Sequence, residues 1–575
     1  MKEKEIHCLL SIVLFITILF LTSIFCVEDM QIKKVSFDWY IWILIISIIL
    51  LILTLIVTLI VLNKNYTGET VHISKEDLHY KYNFESAKEI YIAKDVVNIP
   101  YKHFYKLEKL QYVEFEGENT IISENAFEGC KKLERVYLPS KLEKIRNYTF
   151  KDCKKLKNVT IPDSVIEIGI ESFAGCSSLT NVKIGNGVIK IEDNAFSGCK
   201  NVETLVIGDG LTSLDSLPIT PALESITIGN NVTEIRAGAF KDCKKLKSVT
   251  IPDNVTRIGA GAFAGCDKLT IVTIDKHVTK IGIGAFKGCE NLEKIRVPDY
   301  VTKIGDETFC GCKGLTSVTI GNGVEEIGVG AFKNCEKLEK ITIPDSVTRI
   351  GAGAFAGCKG LTSVTIGNGV IKIEDNAFSG CDKVETLVIG DGLTSLDNLP
   401  ITPALESITI GNNVTEIRAG AFKDCEKLEE ITIPAGVTRI GVRAFKNCKN
   451  LRSVTIPDNV TRIGKEAFKD CTNLISVTIG NGVKKIEKNT FSGCDKVETL
   501  IIGDGLTSLD NLPITPALKS ITIGKNVTKI GAGAFADCCN QIVVNYRGSE
   551  EKWEKIDIGS GNESLKVKNY NYEGN

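Results

Sequence analysis

Leu246-Lys-Ser-Val249-Thr-Ile251-Pro-Asp-Asn254-Val255-Thr-Arg-Ile258-Gly-Ala-Gly-Ala262-Phe263-Ala-Gly-Cys266 is one copy of a stretch that recurs through most of this 575-residue chain. Within it, Val249 and Ile251 alternate with polar residues, the period of a short strand with one buried face. Pro252 closes the strand, because proline donates no ladder hydrogen bond. Val255, Ile258, Ala262, Phe263 and Cys266 then supply apolar groups for a return path.

The phenylalanine marks the period. It falls at Phe127, Phe150, Phe173 and Phe196, resumes at Phe240 and runs to Phe378, then returns at Phe422 and ends at Phe535. Most steps are 23 residues and three are 44, so a 44-residue step holds two units with two residues missing. In each long step Pro-Ile-Thr-Pro replaces the usual Ala-Phe-x-x-Cys, at 218–221, 400–403 and 513–516. These variants are expected to perturb the outer side of the array at three points. Phe104 marks a degenerate first copy without cysteine. Residues 191–243 and 373–425 are nearly identical, which points to internal duplication. A 23-residue unit cannot enclose a core alone. Stacked copies bury a continuous one, each touching only its neighbours.

The repeat resembles the BspA-like subfamily of leucine-rich repeats, whose units read L-x-x-V-x-I-P-x-x-V-x-x-I-G-x-x-A-F-x-x-C. The likeness spans roughly residues 85–540. It implies surface proteins that attach to host matrix, other cells or polysaccharide. The fold expected is an α/β-type solenoid: short parallel strands, irregular or short-helical return segments, and one or two transmembrane helices ahead of them. The tail Gly548–Asn562 also resembles the ending of such arrays. Physically it reads as a cap over an exposed strand edge, with Trp553 as its plug.

Two uncharged apolar runs open the chain, residues 8–26 and 39–62. The second is long enough to span a bilayer, which takes roughly 20 helical residues. Trp39, Tyr40 and Trp42 stand at its start, where amphipathic rings favour the interface. The first run is either a span or a signal sequence. It follows Lys2 and Lys4 but lacks a small-residue cleavage site. Two spans would put the repeats on the side of the amino terminus, and one span would put them outside the cell. The organisation expected is a tail at 1–7, the runs at 8–26 and 39–62, and a juxtamembrane linker with an amino-terminal cap at 63–88. A solenoid of about twenty units follows at 89–540, with a carboxy-terminal cap at 541–575.

A formal charge of −2 excludes the basic footprint of a nucleic-acid binder. Sixteen of the 20 cysteines share one repeat position, three after the phenylalanine. One sulfur per unit reads as a ladder of buried thiols rather than a disulfide scaffold. Cys310-x-Cys312 and Cys538-Cys539 are the irregular pairs. With only five histidines in the chain, metal binding there lacks further ligands, and no metal or cofactor is expected. The scarcity of histidine also argues against an enzyme. The glycines at 259, 261 and 265 suggest a phosphate loop only superficially, because the spacing is wrong and the turn recurs. Asn231, Asn254, Asn413, Asn459 and Asn526, each in Asn-Val-Thr, sit at the ninth repeat position. They read as turn-satisfying residues rather than glycan acceptors.

The outward strand positions are the candidate binding face: Lys294, Arg296, Ser317, Thr319, Lys340, Thr342, Ser363 and Thr365. They are rich in hydroxyls and charge. Aromatics are sparse over the array, which weakens the case for sugar stacking. The function expected is recognition of a protein or polysaccharide by a membrane-anchored, cell-surface module. The alternative is a cytosol-facing, membrane-associated scaffold with its thiols in a reducing compartment.

Overall fold

The computed structural model describes residues 69–79, 84–538, 542–562, 565 and 570–572, with isolated positions between 42 and 53. The apolar run 8–26 and most of 39–62 lie outside the described residues. Among the described residues, no helix is long and apolar enough to cross a membrane.

The array is a β-solenoid with two parallel ladders per turn. The first ladder is built on the Val249-x-Ile251 type of strand. It forms an eight-stranded sheet from Thr70–Ile73 to Ser225–Thr227, then a fifteen-stranded sheet from Ser248–Thr250 to Tyr570–Tyr572. Register is one repeat per step: Ser248 faces Ile271 and Val249 faces Val272. Inward residues are buried and their neighbours exposed, as in Ser248–Thr250. The amino-terminal cap segment joins this sheet directly, since Thr70–Ile73 pairs in parallel with Glu89–Ile92.

The return path is the first correction to the sequence reading, which expects an irregular or short-helical segment and an α/β class. Instead residues of the Arg257–Ile258 type form a second parallel ladder, with Arg257 facing Glu234 on one side and Lys280 on the other. The remaining segment is a string of turns that is also laddered. Gly261, Phe263 and Gly265 donate backbone N–H groups to the carbonyls of Ile283, Ala285 and Lys287 at 2.9, 2.7 and 2.8 Å. A helix would turn those donors inward along its own axis. Laddering to the next turn satisfies them with a neighbouring unit instead. The only described helices near the array flank it: a 3-10 turn at Asp77–His79 and the α-helix Glu550–Trp553.

The Pro-Ile-Thr-Pro units leave a mark. The first sheet runs through them at a step of 21 residues, as Thr204 pairs with Ser225, Thr386 with Ser407 and Thr499 with Ser520. The second sheet does not. Its strands fall into separate sheets on either side of the first two variants, between Lys190–Ile191 and Glu234–Ile235 and between Lys372–Ile373 and Glu416–Ile417. Around the third, only the isolated bridges Ile463–Ile486 and Ser508–Lys529 continue it.

Phenylalanine and cysteine form two of the side-chain columns in the core, beside those of leucine, valine, isoleucine and alanine. Successive phenylalanines stack nearly parallel, with centroids 4.9 to 5.5 Å apart between Phe127 and Phe491 inside each uninterrupted run. Beside them, each cysteine thiol donates to the phenylalanine carbonyl of the preceding turn, as Cys153 does to Phe127 at 3.3 Å. In the variant units a threonine carbonyl takes over as acceptor. Cys243 reaches Thr220, Cys425 reaches Thr402 and Cys538 reaches Thr515 at 3.4, 3.3 and 3.4 Å. All seventeen described cysteines are free thiols, and sixteen of them are buried. Burial pushes the Cys130, Cys199 and Cys289 thiols up to about 12. At the carboxy-terminal end Trp553 is buried edge-on to Tyr546, with centroids 5.3 Å apart.

Candidate binding site

The strand positions singled out from the sequence lie on one face of the fifteen-stranded sheet. Lys294 faces Ser317 and Arg296 faces Thr319 across one pair of strands. Lys340 faces Ser363 and Thr342 faces Thr365 across another, and Ser317 faces Lys340 between them. The period of two forces this arrangement, because Ile295, Val318, Ile341 and Val364 point the other way. Lys294, Arg296, Ser317, Thr319, Lys340 and Thr342 are exposed, and Ser363 and Thr365 half-buried. Arg296 is held by Asp299 at 3.2 Å, three residues on. The surface is therefore a strip of hydroxyls and cations, one row per strand, on a rigid ladder.

The other motifs resolve into structure. The five Asn-Val-Thr asparagines each donate a side-chain amide to a backbone carbonyl of the preceding turn. Asn254 reaches the Asn230 carbonyl at 2.8 Å and Asn459 the Ala435 carbonyl at 2.7 Å. Asn231, Asn413 and Asn526 do the same at 2.6, 2.6 and 2.8 Å. The Gly265 turn is no phosphate cradle, since its N–H donors are spent on the next turn. Gly265 adopts a φ of +73°, a left-handed conformation that Asp242 and Asn334 also take at the same repeat position. Cys312 is buried and donates to the Phe286 carbonyl at 3.2 Å, whereas Cys310 is half-exposed. Cys539 lies outside the described residues. Among the described residues, no group of three or more His, Cys, Asp or Glu side chains is placed to hold a metal ion.

One feature of the outward face of the eight-stranded sheet escapes the sequence reading. Aromatics are sparse over the array as a whole, yet four rings line up on its first strands. His72 stacks on Tyr91, Tyr91 meets Tyr112, and Tyr112 meets Tyr137, with centroids 4.9, 5.5 and 5.8 Å apart. The Tyr112 hydroxyl donates to Glu114 Oε2 at 2.5 Å, which holds its phenol well above the usual range. Desolvation, then the charges of Glu89 and Glu114, raise the Tyr91 phenol as well. A signal is present in the sequence: of the 14 tyrosines, six fall within residues 91–148, and only Tyr300 lies between there and Tyr546.

The matches to known proteins follow the ladders. A model of the "BspA type Leucine rich repeat region" matches six times, over residues 79–217, 219–338, 279–400, 325–449, 401–515 and 509–555. The chain belongs to the BspA-type leucine-rich-repeat family. A leucine-rich-repeat protein from Bacteroides ovatus is 26% identical, over 72% of this chain and 83% of that one, with a TM-score of 0.33. A leucine-rich cell surface protein from Faecalibacterium prausnitzii is 31% identical, over 62% of this chain and 86% of that one, with a TM-score of 0.26. The leucine-rich-repeat protein of T. pallidum is 25% identical, over 39% of this chain and 83% of that one, with a TM-score of 0.21. Comparison with curated proteins gives no match. As a BspA-type array, the chain is a repeat scaffold whose family is consistent with a binding module.

Proposed function

We propose that this chain is a membrane-anchored, cell-surface recognition module. It binds a protein or polysaccharide through the outward face of its first ladder, which the eight-stranded and fifteen-stranded sheets make up. The observation that carries the reading is the register of Lys294, Arg296, Ser317, Thr319, Lys340, Thr342, Ser363 and Thr365. It gives two rows of polar side chains at fixed spacing over four successive strands. A rigid strand ladder holds such groups with little ordering entropy left to lose on binding. The uncharged runs 8–26 and 39–62 support the anchor. The name of the Faecalibacterium prausnitzii relative, a leucine-rich cell surface protein, supports display. Catalysis has no part in this reading, and neither do cofactors or nucleic acid.

The seventeen free thiols favour a second arrangement, a cytosol-facing scaffold tethered by the same runs. Topology separates the two. Protease added to intact cells should cleave the array, and an epitope at the carboxy terminus should disappear. Protection on intact cells, with cleavage only after lysis, would sink the surface reading in favour of the scaffold.

A further inference from the structure

The aromatic strip on the first turns differs in kind from the rest of the face. Its rings sit on four successive strands, Thr70–Ile73, Glu89–Ile92, Tyr112–Phe115 and Arg135–Tyr137. Register explains how. Tyr91 faces Glu114 and Glu114 faces Tyr137, while Glu89 faces Tyr112 and Tyr112 faces Arg135. The tyrosines thus alternate with charged residues in two adjoining columns and meet on the diagonal, while His72 faces Tyr91 directly. Tyr137 is 55% exposed, so its ring has not been withdrawn into the core. None of the outward positions on these strands is aliphatic.

The charges flanking the strip are largely paired. Lys88 is paired with Glu69 at 2.6 Å, and Lys157 with Glu134 at 3.2 Å. Glu114 already accepts the Tyr112 hydroxyl. On the next two strands the Asn181 amide donates to Asn158 Oδ1 at 2.6 Å, so neutral amide edges continue the strip.

We propose that His72, Tyr91, Tyr112 and Tyr137 form a stacking platform for a neutral glycan chain, with Glu89, Glu114 and Arg135 binding its hydroxyls. The inference rests on the face-recognition reading and gives it a place and a ligand class. A pyranose offers an apolar C–H face and a rim of hydroxyls. Tyrosine supplies a rigid apolar ring with a polar edge, and carboxylates and guanidinium supply planar hydrogen-bonding groups. The rings repeat at one per strand, a step comparable to the length of one sugar unit. A nucleic acid strand would also stack on such rings, but it needs a cationic groove. Here Glu89 and Glu114 stand beside the rings and would repel phosphates. A protein anchor would want aliphatic surface between the aromatics, and the strip has none.

The test is native affinity electrophoresis of the full-length chain in detergent. The gels would contain mixed-linkage β-glucan, xyloglucan, galactomannan or pullulan, with poly(dT) as a control polymer. At least one polysaccharide should retard the chain. The double variant Tyr91→Ala/Tyr112→Ala should weaken retardation by 10-fold or more, with its thermal melt unchanged. Tyr112→Phe should keep most of it, because stacking survives loss of the hydroxyl. Retardation by none of the polysaccharides, retardation by poly(dT) alone, or retardation indifferent to the double variant would each overturn the proposal. Adhesion of intact cells to a protein-coated surface that depends on Lys294 and Arg296, without any polysaccharide binding, would leave the broader reading standing and remove this one.

Discussion

The thiol of Cys266 donates to the carbonyl of Phe240, one full turn behind it, at 3.1 Å. The bond ties a side chain of one unit to the backbone of the last, beside the ring stack of Phe240 on Phe263. Repeated up the array, it makes the cysteine position an inter-turn staple without any disulfide. Cys266→Ala should cost about 1–2 kcal/mol, from a lost hydrogen bond and a small cavity. Stability in a solenoid is a sum of nearest-neighbour terms. Amide exchange should therefore accelerate in the turns around Phe240 and Cys266 and remain slow in distant turns. Uniform acceleration would mean that the array unfolds as a single unit.

The same burial gives the array an alkaline limit. The Cys130, Cys199, Cys243, Cys289 and Cys425 thiols are pushed up to about 12 from an ordinary 9.0, first of all by desolvation. At Cys425 the neighbouring Asp424 carboxylate adds to the same effect. A raised thiol pKa means that the folded chain holds the proton more tightly than the unfolded chain does. The stabilisation is intact below the ordinary thiol pKa and is lost as pH rises from there through the folded value. Thermal melts between pH 8 and pH 11 should show a falling midpoint, and replacing several ladder cysteines with alanine should flatten that fall. A midpoint independent of pH over this range would contradict the account.

The phenylalanine column predicts a positional effect. Phe286 is stacked on both sides, by Phe263 at 5.2 Å and Phe309 at 5.5 Å. Phe196 stacks on Phe173 at 5.1 Å and borders a variant unit on its other side. Phe286→Ala should cost about 3–5 kcal/mol, the usual range for a buried ring, and Phe196→Ala less. Denaturant midpoints of the two variants check this, and equal losses would show that ring stacking adds nothing to burial.

Where a Gly-Asn-Gly turn follows a Pro-Asp turn, as Gly321–Gly323 follows Pro298-Asp299, the second glycine has a steric reason. A Cβ on Gly323 would lie 1.9 Å from the Asp299 carbonyl oxygen, a distance that no side chain tolerates. Gly323→Ala should therefore destabilise the array by more than the about 1 kcal/mol range of ordinary propensity effects. Amide exchange should localise the damage to the turns holding Asp299 and Gly323. A wild-type melt would place the turn elsewhere than the ladder puts it.

Much of this architecture is legible in one unit. Val249 and Ile251 alternate, so the first strand is readable, and the single sulfur per unit already implies a column of thiols. The second ladder is not. Arg257–Ile258 is two residues long and buries one side chain, too short for any period to show. Only pairing with Glu234–Ile235 and Lys280–Ile281 makes it a strand. The tyrosine strip hides for a related reason. Tyr91 and Tyr137 share a repeat position, but Tyr112 sits in the neighbouring column, so neither outward strand position is aromatic in successive tyrosine-bearing units. Register, not spacing, brings these rings together.

The central claim is that the outward face of the first sheet is the binding surface, and charge reversal on intact cells tests it most directly. Cells producing the full-length chain would be counted on surfaces coated with galactomannan, mixed-linkage β-glucan or serum albumin. Lys294→Glu/Arg296→Glu alters the first-sheet face, and Lys280→Glu/Lys529→Glu alters exposed positions on the second. The account predicts that the chain retains cells on at least one coat. It also predicts that the first pair of reversals, or loss of Tyr91 and Tyr112, lowers retention severalfold while the second pair leaves it unchanged. Retention on no coat, or equal loss from both pairs, would contradict it.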